Sequence, residues 1–470
     1  MISKYLGDKA FWKRTLVIAL PIAFQNLLIS SFSLVDTLMV GWLGSTELSA
    51  AGMAGQWSWF LNIVLFGICS GASVFFAQYW GANNIKGIHK SYGIALTSSF
   101  IVSMVFFYFA FFNPAGVMQI FNKEPKVIEL GSAYLSAVSF SYPATAIMTV
   151  MNTVLRSTER VKLPMYSSLI TTLLNIILNY CLIFGKFGFP YMGIKGAAVA
   201  TSISTWVGPF IILIVSKIEK NVLVAPLREI FTFSTNRVKE FYGKAAPVIL
   251  NEGLWGLGTV LFNVIYSNLG SMEYAAVTIL KTFENISFVF FVGLCSACCV
   301  IVGKYIGSGE IKQAIDDARR YTVILPIVSI VVGALIIIFR EQLIFIFNLS
   351  GNISETTLKT AKILMLIYAL EIPIRNIPYI QIVGIFRSGG DTITAIKYDL
   401  SSEWLMALPA TFIAAYILKL PFVWVYVIMY IFEDYLKSIL CIKHYLSKKW
   451  IKPVTEQGVE GYEKYKAETA

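Results

Sequence analysis

Ionisable side chains fall inside long apolar stretches of this sequence, where they need a partner or a role in moving charge. There are seven of them: Asp36, Glu252, Lys281, Glu284, Glu371, Arg375 and Glu403. An ionised group at the centre of a bilayer costs roughly 2.5–3.5 kcal/mol on insertion scales. Glu403 lies only about 6 Å from the inner end of its apolar segment by helical rise, and we interpret it as an interfacial charge that snorkels.

The apolar stretches are long enough to cross a membrane. Hydrophobic residues make up 57% of the 470 residues and charged residues 14%, against about 25% charged in an ordinary soluble domain. A membrane span takes about 20 helical residues. We predict twelve spans, the last of which is interrupted by Glu433, Asp434 and Lys437. They lie near residues 15–40, 48–80, 91–112, 130–151, 163–185, 194–216, 245–269, 274–303, 321–339, 362–386, 399–418 and 420–441.

Charge in the connections orients these spans and excludes several classes of protein. Lys and Arg concentrate in alternate connections, which predicts a multi-pass protein of the plasma (inner) membrane with both termini in the cytoplasm. The net charge of +11 then faces anionic lipid and needs no nucleic-acid partner. The chain has no HExxH, GxSxG or Walker motif, and no Cys–His pair at metal-ligand spacing, so we expect neither an enzyme nor a bound cofactor.

The second half of the chain repeats the first. GICSGASVFFAQYWG at 67–81 aligns without a gap with GLCSACCVIVGKYIG at 293–307, and the same offset takes Pro21 to Pro247. Six spans per half predict parallel repeats, which is a transporter architecture. Each proline removes a backbone hydrogen bond and can bend its helix. Such bending is a candidate gating step, and a fixed kink with a packing role is the alternative.

This repeat sets the predicted domain organisation. The N-lobe with helices 1–6 covers residues 1–216, and a cytoplasmic linker covers 217–244. The C-lobe with helices 7–12 covers 245–447, and a polar cytoplasmic tail covers 448–470.

Four polar residues of the first half lie at similar depth. Asp36 is late in the first span, and Asn175 and Asn179 share a face of the fifth because they are four residues apart. Thr201 is early in the sixth span. One carboxylate among amide and hydroxyl oxygens suits Na⁺ or a transferable proton. Alternatively, the two asparagines only form hydrogen bonds between helices.

Charged residues of the second half allow two interpretations. Glu252 and Glu284 lie at similar depth, and Lys281 precedes Glu284 by three residues. Glu371 precedes Arg375 by four. These spacings fit two local ion pairs, Lys281–Glu284 and Glu371–Arg375. In the other interpretation Lys281 neutralises one acid, and Glu252 stays free to bind a cation or a cationic substrate.

Several sequence elements resemble those of one transporter family. They are ALPIAFQNLL and VDTLMVGWLG, AQYWGANN, NTVLRSTERVKLPM, LNIILNYCLIFGKFGFPYMGIKGAAVAT, FRSGGDT and EDYLKSILCIKHYLSKKWIK. In this order the chain resembles the multidrug and toxic compound extrusion (MATE) transporters of bacterial type over nearly its whole length. The resemblance implies an all-α polytopic membrane protein with twelve transmembrane helices in two parallel-repeat six-helix bundles.

The resemblance also implies site residues. Asp36, Asn175 and Thr201 match the family's N-lobe cation site, whereas Asn179 stands where an Asp is usual. Only one carboxylate remains there, which lowers the expected Na⁺ affinity.

In the C-lobe, Glu252 matches the helix-seven Glu that contributes to a cation site in some members. Asn376 falls near the place of a helix-ten Asp, so the chain departs from the pattern there. Lys281 and Arg375 are not part of the family pattern.

Residues and resemblance together predict a cation-coupled antiporter. It would exchange H⁺ or Na⁺, with Na⁺ possible at Asp36 or Glu252, for amphipathic, cationic organic compounds by alternating access. Its partners would be those compounds and membrane lipid, and we expect a monomer. The alternative is a flippase for lipid-linked oligosaccharide or polysaccharide precursors, in which Lys281 and Arg375 would bind pyrophosphate.

Overall fold

The computed structural model describes residues 5–348 and 354–469. Within these ranges the chain forms sixteen helices and no strand. The first eight are α1 (Lys9–Gly41), α2 (Ser45–Gly81), α3 (Ile85–Phe112), α4 (Pro114–Phe121), α5 (Pro125–Val138), α6 (Ser141–Ser157), α7 (Lys162–Phe184) and α8 (Gly193–Glu219). The others are α9 (Leu227–Phe231), α10 (Thr235–Leu269), α11 (Ser271–Gly307), α12 (Ile311–Asn348), α13 (Glu355–Gly389), α14 (Thr392–Ile417), α15 (Phe422–Leu446) and α16 (Glu456–Thr469).

Ten of these helices are long and apolar enough to cross a membrane. The fourth predicted span is divided at residues 139–140 between α5 and α6, and the twelfth is α15, whose middle turns carry Glu433 and Asp434. Helices that correspond in the two halves have similar lengths, with 33 and 35 residues in α1 and α10 and 37 in both α2 and α11. The all-α membrane fold with twelve spans is therefore confirmed.

Helices α13, α14 and α15 contain wider turns of π-helix. These segments are Ile380–Phe386 in α13, Ser401–Ala407 and Ile413–Ile417 in α14, and Ile431–Tyr435 in α15. Pro378 precedes the first segment by two residues and Pro409 follows the second. A proline cannot donate the i→i−4 bond of an α-helix, so the hydrogen bonding is already interrupted there. Segments of π-helix are rare and frequently lie at functional sites.

The described chain forms two compact units. Unit 1 holds the described residues of Met1–Leu20, Ala77–Asn83 and Leu250–Ala470, and unit 2 holds Pro21–Phe76 and Asn84–Ile249. The prolines that the repeat analysis pairs lie at or near these divisions, since Pro21 begins the first segment of unit 2 and Pro247 lies near the end of the second.

The connection at 217–244 packs within unit 2. The ring of His89 on α3 hydrogen-bonds the carbonyl of Val222 at 2.8 Å and the carboxylate of Glu229 at 3.1 Å. A Cβ on Gly93 would lie 1.9 Å from the carbonyl oxygen of Ile230, so only glycine allows this approach. The connection is thus held against α3.

A polar corner joins α13 to α14 in unit 1. Asp391 accepts hydrogen bonds from His444 and Lys452, both at 2.8 Å, and from the backbone N–H of Thr394 at 3.3 Å. Burial opposes ionisation of Asp391, but these hydrogen bonds outweigh it and hold its pKa below the usual range. The residue before it, Gly390, has φ of +86°, a left-handed conformation that glycine adopts without strain.

The C-terminal segment forms α16 and packs on unit 1. The hydroxyl of Thr455 donates to the carbonyl of Gly307 at 2.8 Å, and Lys312 pairs with Glu468 at 2.8 Å. This segment, treated above as a polar tail, is therefore helical over Glu456–Thr469.

Close packing of α2 on α10 within unit 2 gives a test of the fold. A Cβ on Gly71 would lie 2.5 Å from Cα of Ala245, whereas nothing lies within 4 Å of one on Gly55 of the same helix. We expect Gly71→Ala to destabilise the protein by about 1–3 kcal/mol through overpacking. Gly55→Ala should stabilise it by up to about 1 kcal/mol, because alanine favours the helix.

Melting temperatures in detergent, followed by gel filtration after heating, measure both changes. Equal effects of the two substitutions would contradict the close contact at Gly71.

Candidate functional site

A chain of hydrogen bonds links α1, α7 and α8 in unit 2. The side-chain amide of Asn179 donates to Asp36 Oδ1 and to Asn175 Oδ1, both at 2.8 Å. The amide of Asn175 donates to Thr201 Oγ1 at 3.2 Å and to Ser204 Oγ at 3.1 Å. All four residues predicted for this site are brought together, and Ser204 is an addition.

Unused acceptors remain at this chain of hydrogen bonds. Asp36 accepts only the bond from Asn179 within the described chain, so its second oxygen is open to another partner. Asn179 Oδ1 is buried and has no hydrogen-bond partner among residues 5–348 and 354–469. A buried acceptor without a donor is costly, and a proton on Asp36 or a cation beside it would offset that cost.

A second polar pair in unit 2 involves an arginine. Arg156 Nη2 donates to Gln25 Oε1 at 2.5 Å, and the amide of Gln25 donates to Ser168 Oγ at 2.7 Å. Gln25 lies four residues after Pro21 on α1. Arg156 therefore has a neutral partner in this contact.

A similar contact of an arginine in unit 1 is an ion pair. Arg387 Nη2 donates to Glu252 Oε1 at 2.5 Å, and the side chains are 4% and 14% exposed. Glu252 lies five residues after Pro247 on α10. The hypothesis that Glu252 stays free to bind a cation is therefore wrong for this conformation, because the buried guanidinium of Arg387 needs a counter-charge.

The expected local ion pairs do not form in unit 1. Within the described chain Lys281 has no ion pair with Glu284, and its ammonium instead donates to Asn263 Oδ1 on α10. Arg375 has no ion pair with Glu371, and its guanidinium lies over the ring of Tyr430, 5.7 Å from the ring centre. Tertiary partners on other helices thus replace the neighbours at helical spacing.

Glu284 lies beside a group of tyrosines. Tyr430 and Tyr426 donate hydroxyl groups to Glu284 Oε1 at 3.0 and 3.4 Å. The ring of Tyr266 lies 5.7 Å from that of Tyr426. A carboxylate next to aromatic faces is a chemistry that suits an organic cation.

The remaining two predicted residues of unit 1 lie on α13. Asn376 donates to Ser329 Oγ on α12 at 2.8 Å and to the carbonyl of Ile372 at 3.0 Å. Glu371 is buried, and its Oε1 has no hydrogen-bond partner in the described parts of the chain. Asn376 therefore joins helices, while Glu371 is an acid with an unsatisfied oxygen.

Comparison with known proteins identifies this arrangement of helices. The model of the family MatE matches the chain twice, over residues 21–181 and 247–413. The two matches begin at Pro21 and Pro247, the positions that the internal repeat pairs. The chain belongs to the MATE family of transporters.

Relatives cover nearly the whole chain. The probable multidrug resistance protein NorM of Thermotoga maritima is 28% identical over 94% of this chain and 93% of its own length. The multidrug resistance protein MdtK of Yersinia pseudotuberculosis is 23% identical over 88% of this chain and 89% of its own.

Solved structures have the same fold. The MATE transporter VcmN of Vibrio cholerae, crystallised as a mutant, has a TM-score of 0.85 at 16% identity and covers 96% of this chain and 100% of its own. A MOP superfamily transporter from Pyrococcus furiosus has a TM-score of 0.78 at 18% identity, and the match covers 95% of this chain and 96% of that one. Its binding pocket is described as having reversed polarity, which suggests a different function for that protein.

Sequence reasoning missed several residues of this MATE protein. Arg387 appeared above only as part of FRSGGDT, and Glu403 was interpreted as interfacial although it is 2% exposed. Glu433 and Lys437 were taken as interruptions of a span. Their spacing of four residues, together with that of Asp399 and Glu403, is a signal that could have pointed to a buried charge cluster.

Replacement of Asn179 by aspartate tests the Asp36 site. A second carboxylate beside Asp36 would add negative charge that Na⁺ can neutralise. We expect Asn179→Asp to raise Na⁺ affinity about tenfold, which corresponds to about 1.4 kcal/mol. The rise in melting temperature with NaCl, compared with choline chloride, measures it.

Asn62→Asp is the control, since Asn62 is an exposed asparagine of the same unit. If NaCl raises the melting temperature of Asn179→Asp no more than that of this control, the assignment of a cation site at Asp36 is contradicted.

The buried ion pair Arg387–Glu252 predicts strong coupling between two substitutions. Arg387→Met should destabilise the protein by about 3–5 kcal/mol, because the carboxylate of Glu252 is left buried and unpaired. Adding Glu252→Gln should recover much of this loss. Thermal unfolding of the two single variants and the double variant measures the coupling.

The exposed pair Arg160–Glu219, at 2.8 Å with side chains 51% and 42% exposed, is the control and should show coupling of only about 0–1 kcal/mol. Additive effects at Arg387 and Glu252 would contradict the prediction.

Proposed function

We propose that this protein is a multidrug efflux transporter that exchanges H⁺ or Na⁺ for amphipathic, cationic organic compounds. Membership of the MATE family supports transport, and the names of NorM and MdtK support drug efflux. The fold alone does not decide the substrate, since a structural neighbour of the same fold is described as suggesting a different function.

One observation carries the proposal for the coupling ion. Asp36 is the single acid of the hydrogen-bonded chain in unit 2, and it is followed by neutral side chains, Asn179, Asn175 and Thr201. A lone carboxylate among neutral oxygens changes its net charge by one unit when it takes up a proton or Na⁺. Binding and release of one cation at this carboxylate is the smallest step through which an ion gradient can drive the transporter.

Neutralisation of Asp36 would alter the hydrogen bonds of three helices. An ionised Asp36 accepts a charge-assisted bond from Asn179, which is stronger than a neutral one. A protonated Asp36 can instead donate to the unpaired Asn179 Oδ1. Rotation of that amide would break its bond to Asn175, and the change would reach α8 through Thr201.

Coupling needs only a modest energy difference between conformations. If ion and compound favour opposite conformations by 1–3 kcal/mol, each lowers the affinity for the other about 5–150-fold. Pro21, on the same helix as Asp36, and Pro247 on α10 are the proposed points of bending for gating.

The substrate class rests on Glu284 and its tyrosines in unit 1. The carboxylate supplies a negative charge, and the hydroxyl groups of Tyr430 and Tyr426 hold it in place among aromatic side chains. We propose a monomer in the plasma (inner) membrane. The distribution of Lys and Arg favours an orientation with both termini in the cytoplasm.

Dye transport in inverted membrane vesicles tests the proposal. Uptake of ethidium is measured under an imposed pH gradient and, separately, under a Na⁺ gradient. We expect one of the gradients to drive uptake by the wild type, and Asp36→Asn to reduce it at least tenfold because the site can no longer change charge.

Glu129→Gln, at an exposed acid of α5, is the control and should leave uptake unchanged. If the folded protein transports no organic cation under either gradient, ethidium included, the antiporter proposal is rejected. Loss of a lipid-linked glycan in a null strain would then support the flippase.

A further inference from the structure

Unit 1 contains a group of buried carboxylates around one lysine. The ammonium of Lys437 on α15 lies 3.2 Å from Asp399 Oδ1, 3.5 Å from Glu433 Oε1 and 3.4 Å from Asp434 Oδ1. The side chain of Lys437 is only 8% exposed. One positive charge therefore faces three negative ones, and it can neutralise only one of them.

Glu403 on α14 adds a fourth carboxyl group to this cluster. It lies four residues after Asp399, on a turn of α14 that packs against the turn of α15 with Glu433. It is 2% exposed, its Oε2 is buried, and it forms no hydrogen bond or ion pair within the described chain. Its carboxyl group lies against the backbone of α10, where a Cβ on Gly258 would be 2.1 Å from Oε1.

Other helices supply too few positive charges to change this balance. The charged groups that face the cluster are Asp399 on α14, Glu433, Asp434 and Lys437 on α15, and Glu371, Arg375 and Arg387 on α13. Arg387 is already paired with Glu252. From α10 the neutral amide of Asn251 donates to Asp399 Oδ2 at 2.9 Å.

An ionised Glu403 would be expensive in this position. An isolated buried carboxylate takes up a proton, because burying its charge costs more free energy than binding the proton does. Like charges nearby raise that cost further. The π-helical turn that carries Glu403 also packs against the π-helical turn that carries Glu433.

We propose that Glu403 binds a proton and holds it at neutral pH in this conformation. The step forms one O–H bond between a carboxylate oxygen and a proton from the aqueous phase, and no other bond changes. A second proton-binding residue would thereby exist in unit 1, in addition to Asp36 in unit 2. A role of Glu403 in coupling rests on the proposed antiport. The binding of a proton by Glu403 does not depend on that proposal.

Infrared spectroscopy of the purified, full-length protein tests the occupancy directly. A protonated carboxyl group has a carbonyl band that is separate from carboxylate bands and shifts in D₂O. We expect the wild type to show this band at pH 7 and Glu403→Gln to lose the intensity of one carboxyl group. The wild type without any such band at pH 7 would overturn the proposal, whatever the variants do.

Two further variants identify the group. Glu371→Gln removes another buried acid with an unsatisfied oxygen, and Glu129→Gln removes an exposed acid. Full band intensity in Glu403→Gln, with loss in Glu371→Gln, would overturn the assignment to Glu403. Loss in Glu403→Gln alone would support it.

Stability gives a second readout that is independent of transport. Glutamine imitates the protonated acid but binds no proton that unfolding would release, so Glu403→Gln should be at least as stable as the wild type at pH 7 and should lose less stability than the wild type between pH 7 and pH 9. A large destabilisation by Glu403→Gln at both pH values would overturn the proposal. Because neither measurement uses a dye, failure of the antiport would be recognised separately.

Discussion

The contacts of Lys437 with three carboxylates decide how unit 1 can exist inside a membrane. With Asp399, Glu433 and Asp434 all within 3.5 Å of one ammonium group, α14 and α15 are held by attraction to a shared cation. The same geometry leaves acid in excess. Removal of part of this negative charge by protons would therefore stabilise unit 1.

The two repeats give an arginine different partners. In unit 2 the arginine that follows the fourth predicted span meets an amide, Gln25, and the single acid Asp36 is held by neutral partners. In unit 1 Arg387, which follows the tenth predicted span, meets an acid, Glu252. The two contacts lie four residues after Pro21 and five after Pro247, and only the one in unit 1 joins two charged groups.

Sequence reasoning succeeded where local geometry decides the outcome. The spans follow from hydropathy, and the group of Asp36, Asn175 and Thr201 follows from depth along three helices. It failed for Lys281 and Arg375, whose partners lie on other helices, at Asn263 and Tyr430. Helical spacing shows which side chains share a face, but it cannot show which distant helix packs against that face.

The π-helical turn of α14 has a consequence for how Glu403 could be uncovered. A π segment contains one residue more than the α-helix it interrupts, and that extra residue can move along the helix in single steps. Each step turns the intervening side chains by about 100° and leaves the helix continuous on both sides. A one-residue move of the π segment Ser401–Ala407 would therefore change the register of α14 and turn the Glu403 carboxyl group towards a different neighbouring helix without unfolding.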